Sequence, residues 1–202
     1  MTTLIRPLLL ITLFLALSGC KQSVQMDMNL QAPANFFSNG FPTNLRVLPD
    51  GHIDLSDFPR QQQGLTRLYV ETTERQIRGY ALSLPVYLPF TGSLAWRQLP
   101  DDEAAFASPD SPIQLIDIDP ASPEYGRRYP LRVTMTWQPD SYRPNHLLEL
   151  LPTVGLNLRP NTVYAAIVTS AMGLPEGIQW QQNATLHQLL TGSGANGLPQ
   201  PQ

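Results

Sequence analysis

Leu158-Arg159-Pro160-Asn161-Thr162-Val163-Tyr164-Ala165-Ala166-Ile167-Val168-Thr169 is the stretch whose reading decides the fold. Pro160-Asn161 is turn chemistry, because proline presets φ and asparagine tolerates a left-handed backbone. From Val163 to Val168 the run is apolar at both odd and even positions. A strand with no polar face predicts a central position with packing on both sides.

Working outward, the neighbouring segments also read as strands. Leu131, Val133, Met135 and Trp137 alternate with Arg132, Thr134, Thr136 and Gln138, the period of a half-buried strand. Residues 113–119 and 146–152 are short apolar runs bounded by turns, and residues 67–72 read as a further short strand. Residues 78–90 read as a longer one with Leu82, Leu84, Val86 and Leu88 on one face, and Pro85 places it at an edge or a bulge. Asp101-Asp102-Glu103 predicts a capped helical turn, and residues 183–190 predict a short amphipathic helix with Leu186, Leu189 and Leu190 inward and His187 outward. The fold class is therefore mainly β with one or two short helices.

Composition agrees. The 202 residues are ample for one domain with a core, and the 20 prolines favour short strands and fixed turns over long helices. Charged residues make up 14%, below the usual quarter or so, and the net charge is −3. Lys21 is the only lysine and the arginines are scattered, so no basic patch exists to hold nucleic acid. One cysteine, Cys20, excludes an intrachain disulfide and a cysteine-built zinc site. His52, His146 and His187 make no metal-ligand spacing. Asp50, Asp54 and Asp57 lack the spacing of a calcium loop and read as turn residues. No metal or cofactor is expected, and no catalytic residue is assigned. An enzyme of scattered groups would need Asp117, Asp119 and His52 brought into one pocket.

The N-terminus is a processing segment. Arg6 precedes the apolar run 8–16, which is shorter than the roughly 20 residues that span a bilayer and has the length of a signal core. Leu17-Ser18-Gly19-Cys20 then resembles the lipobox of bacterial lipoproteins. That resemblance implies cleavage before Cys20, lipid attachment to its thiol and a membrane as partner, since several acyl chains on one residue anchor stably. Lys21, rather than aspartate, follows; in Gram-negative lipoproteins this favours the outer membrane. The expected organisation is a signal peptide at 1–19, a lipidated tether at 20–40, a β-domain at 41–190 and a flexible tail at 191–202.

Leu158-x-Pro160-x-Thr162-x-Tyr164 resembles the corner of an Ig-like domain, where a tyrosine bonds back to the chain just upstream. The spacing from Tyr80 to Gly177 is similar to bacterial Ig-like domains of the surface-layer type. This implies an Ig-like antiparallel β-sandwich, with Pro160, Thr162 and Tyr164 as its structural corner. A wider set resembles the N-terminal region of secreted bacterial lipases and esterases, the virulence-factor lipase type: Phe41-Pro42-Thr43-Asn44-Leu45, Asp50-Gly51, Phe58-Pro59, Ile116-Asp117-Ile118-Asp119, Gly126-Arg127-Arg128-Tyr129-Pro130 and the corner itself. In such proteins an α/β-hydrolase follows. No Gly-x-Ser-x-Gly nucleophile elbow occurs in this sequence, so no catalytic residue carries over. Two expectations result: a non-catalytic, lipid-anchored envelope module with a protein or polysaccharide partner, or the N-terminal domain of a lipase whose catalytic part is encoded separately.

Overall fold

The computed structural model describes residues 22–192. Its strands are mostly paired in antiparallel sheets, accompanied by two helices. β1 (Ser23–Val24) comes first, then α1 (Gly64–Gln76), β2 (Val86–Pro89), β3 (Ile113–Asp117), β4 (Leu131–Thr136), β5 (Leu147–Pro152), β6 (Tyr164–Val168), β7 (Gln179–Trp180) and α2 (Ala184–Leu190). One sheet has the order β2-β5-β4 and is antiparallel throughout; a second pairs β3 with β6, also antiparallel; β1 and β7 make a small parallel pair.

The two antiparallel sheets share one apolar core. Leu88, Leu131, Met135, Leu148 and Leu150 come from the first sheet, Ile113 and Leu115 from the second, and Tyr164, Ala166 and Val168 pack against them. A second cluster lies behind β5: Phe36, Phe37, Ile53, Leu55, Val70 and Leu147, with Phe41, Phe58, Tyr80 and Tyr87 around it. Its rings meet edge-on, Phe36 with Phe37 at 5.1 Å and Phe36 with Phe58 at 5.0 Å, the arrangement that aromatic quadrupoles prefer. β5 alternates between the two clusters, Leu147 into one and Leu148 and Leu150 into the other. Both of its edges are hydrogen-bonded.

The central strand is therefore β5, and the expectation for residues 163–168 is corrected. β6 is the end strand of its sheet and contains no fully buried residue. Its even positions face the core, but Val163 and Ile167 are exposed on the other face. An apolar face here means only that nothing among the described residues covers it.

Three other expectations change. Residues 67–72 lie in α1, not in a strand. Arg67, Glu71 and Arg75 fall at helical i,i+4 spacing and pair along the surface, while Val70 points into the aromatic cluster. The long strand at 78–90 shrinks to β2, because Pro85 has no N–H to donate and residues 81–84 form a turn closed by Leu84 N–H to Ala81 O at 3.1 Å. Leu190, expected inward on α2, is 71% exposed.

The tether is corrected as well. From Ser23 onward residues 20–40 are built into the fold: Ser23 and Val24 pair with Gln179 and Trp180, and Val24, Phe36 and Phe37 are buried. The polar residues that suggested a solvated linker satisfy backbone instead. Asn29 Oδ1 accepts from the N–H groups of Gln31 and Ala32, Asn35 Oδ1 from Phe37 and Asn39 Oδ1 from Asn29.

Other expectations are met. β4 alternates as expected, with Leu131 and Met135 buried and Arg132 and Thr134 exposed. Asp102 caps a 3-10 turn, Glu103–Ala107, by accepting from Ala104 N–H at 2.9 Å. Asn183 caps α2 by accepting from Thr185 and Leu186 N–H, and its amide also donates to Met26 O and Met28 O, tying α2 to the start of the chain.

Candidate functional site

Tyr164 opens β6, and its hydroxyl accepts from Arg159 N–H at 2.7 Å. Thr162 Oγ1 donates to Pro160 O at 3.0 Å, and Asn161 between them has φ of 50°. Asparagine is among the few side chains that accept this left-handed backbone readily. Pro160, Thr162 and Tyr164 thus form the corner expected of them: one bond clamps the turn to the strand and another tightens the turn itself.

Beneath the corner, the Tyr129 ring meets that of Tyr164 edge-on at 5.6 Å. The Tyr129 hydroxyl donates to Glu124 Oε2 at 3.0 Å. Burial first, then hydrogen bonding to Tyr164 and Glu124, pushes its ionisation well above the ordinary phenol value. Glu124 also pairs with Arg127, whose guanidinium lies over the Tyr129 ring.

A groove of about 730 Å³ runs beside this corner, within the range of about 300–1,000 Å³ usual for ligand sites. One wall is the corner and the start of β6, from Leu158 to Tyr164 and Ala166. The opposite wall is Arg78 to Leu82 with Leu84, and Pro42, Thr43 and Asn44 close one side; Leu115 and Val86 also line it. Tyr80 is fixed there by its hydroxyl, which donates to Thr43 O at 2.8 Å, and burial pushes its phenol pKa up by disfavouring the charged form. The lining includes Arg78 and Arg159 but no aspartate or glutamate.

Sequence reasoning reached one wall of this groove and missed the other. Its walls come from three segments far apart in the chain, and no local pattern joins them. Only the run Tyr80-Ala81-Leu82-Ser83-Leu84-Pro85 carries a hint, since a proline within an apolar run marks an edge, a strand start or a bulge rather than the middle of a sheet.

The remaining candidates are engaged in local structure. Asp117 is fully buried; its carboxylate accepts from Ser122 Oγ at 2.5 Å and from Asp119 N–H at 3.0 Å. His52 Nδ1 lies 2.9 Å from Asp50 Oδ2. Asp119 Oδ1 accepts from Ala121 N–H. These are turn bonds rather than a shared pocket. Asp54 accepts from Ser56 N–H, and Asp57 makes a two-pronged pair with Arg46 at 2.6 and 2.9 Å. The hydrogen bond from Ser56 holds the Asp54 carboxyl below its usual range. His146 Nδ1 is 3.3 Å from Ser93 Oγ, and His187 lies exposed on α2. Among the described residues, no group of three or more histidine, cysteine, aspartate or glutamate side chains is placed to hold a metal ion. No described helix is long and apolar enough to cross a membrane. Cys20, the expected lipidation site, lies outside the described residues, as does the tail from 193 onward.

Searches against protein-family models, curated proteins and solved structures found no significant match to this chain.

Proposed function

We propose that this protein is a lipid-anchored module of the bacterial cell envelope, most consistent with the outer membrane, whose Ig-like antiparallel β-sandwich serves in binding rather than catalysis. The observation that carries the reading is Leu17-Ser18-Gly19-Cys20 directly after a short apolar run. Two features of the fold support it. Gln22 O already accepts from Gln179 N–H, so only Lys21 separates Cys20 from the first residue engaged by the domain. A lipid on Cys20 would thus hold the folded domain against the membrane surface rather than at the end of a leash. The groove, lined by apolar and polar residues with two cationic side chains, offers a cleft in which a partner can be held.

The test of the anchor is metabolic labelling with a fatty acid. Wild-type protein takes up label and partitions with membranes; Cys20→Ser takes up none and is released. Equal labelling of both would sink the proposal.

A further inference from the structure

The groove beside β6 has a property that its lining alone does not convey. In an antiparallel ladder, alternate residues of a strand turn their backbone groups toward one neighbour and the rest toward the other. Ile118 N–H donates to Val163 O, and Thr169 N–H to Pro112 O. With the register Ile116↔Ala165 and Gln114↔Ile167, the odd residues of β6 therefore bond β3. The N–H and C=O groups of Tyr164, Ala166 and Val168 point the other way, and among the described residues they have no backbone partner. Tyr164 and Ala166 also line the groove. The open edge is thus the flank of a cleft, not a rim in free solvent.

β2, in the other sheet, shows the contrast. Its outer edge is occupied, since Tyr87 exchanges two backbone bonds with Phe41 and Pro89 O accepts from Asp27 N–H. Among the described residues the outer edges of β6 and of β4 are both left without backbone partners, but only that of β6 lines the groove. Natural sheets protect such edges with charge, proline or a cover, because an unpaired edge is a template for another strand.

We infer that the β6 edge takes up an extended, acidic polypeptide segment of a partner protein, which adds a strand antiparallel or parallel to β6 within the groove. This deepens the binding role proposed above and rests on it, though not on the lipid. Main-chain bonds to Tyr164, Ala166 and Val168 supply the affinity common to any sequence, and alternate side chains of the segment enter between Leu84, Val86 and Leu158. Charge selects the partner. Arg78 and Arg159 flank the cleft, neither has an acidic partner among the described residues, and no acidic residue lines it. In a chain of net charge −3, this is a locally cationic site facing whatever enters.

The test uses the full-length chain in detergent. Amide hydrogen exchange on the protein alone is expected to show fast exchange at Tyr164, Ala166 and Val168, with protection at Ala165 and Ile167. Two pools of fluorescent peptides, alternating randomised apolar residues with threonine, are then compared, one flanked by glutamates and one by lysines. The glutamate pool is expected to bind roughly tenfold more tightly, to lose that preference at high salt, and to protect the three edge amides. The double variant R78E/R159E should reverse the preference. Failure of both pools to bind, equal binding, or edge amides already protected in the protein alone would overturn the inference. So would protection that rises with protein concentration, which marks a second copy, or protection lost on deleting residues 193–202, which marks the chain's own tail. A negative outcome here leaves the acylation result intact, and loss of acylation leaves the groove result intact.

Discussion

β5 and β6 are both apolar strands of five or six residues, yet they occupy opposite situations. β5 is bonded on both edges and buried on both faces, one toward the shared core and one toward the aromatic cluster. β6 is bonded on one edge and half-buried on one face. The difference teaches that an apolar strand declares its affinity for cover, not whether this chain supplies the cover. In β5 the chain does so, with Phe36, Phe37 and Val70 brought from far upstream. In β6 it leaves backbone and side chains open together.

The comparison can be broken at its strongest point first. Leu148→Ala removes a fully buried side chain from β5 and should destabilise the fold by about 3 kcal/mol in urea unfolding. A loss no larger than that of an exposed site would mean that β5 is not the centre. Tyr164→Phe removes the hydroxyl that clamps the corner and should cost about 1 kcal/mol. An unchanged midpoint would mean that the turn does not depend on the bond. Ile167→Ala, on the uncovered face of β6, should change stability by about 0.5 kcal/mol or less. A core-sized loss there would show that the face is covered in solution.

The smallest effect at neutral pH is that of the Tyr129 phenol. Its folded ionisation is raised above the unfolded value of about 10. Below the unfolded value both states hold the proton and stability is at its full level. As pH rises beyond it, the unfolded chain releases a proton that the fold retains, and stability falls. Unfolding at about pH 9 and about pH 11 should show this loss, and Tyr129→Phe should make it smaller. Tyr80 and Tyr87, also raised by burial, supply the remainder. An identical pH slope in the variant would count against a buried, proton-retaining Tyr129.

What was legible in the sequence is what local chemistry decides. The alternation in β4, the Asp102 and Asn183 caps and the Pro160–Tyr164 corner each depend on neighbours within a few residues. What was not legible depends on distant partners. Nothing near Ser23 announces that it pairs with Gln179. Tyr69, Val70, Thr72 and Thr73 have the β-prone chemistry of a strand, but Val70 finds its place in the aromatic cluster from a helix, and Glu74 Oε1 accepts from Leu55 N–H. The i,i+4 spacing of Arg67, Glu71 and Arg75 was the available signal for that helix. The groove was half legible: its corner is local chemistry, whereas Arg78 and Tyr80 reach it only through the tertiary fold.

The parallel pairing of Ser23–Val24 with Gln179–Trp180 has a consequence for how the chain is made. Synthesis delivers the first strand of that pair well before its partner, with both antiparallel sheets encoded between them. Until the late strand arrives, Val24 lacks Trp180 as a neighbour and the clasp cannot close. Contacts of such long sequence separation form slowly, because a large loop must be closed before they contribute. The clasp therefore closes only after the segments that form both antiparallel sheets have been made.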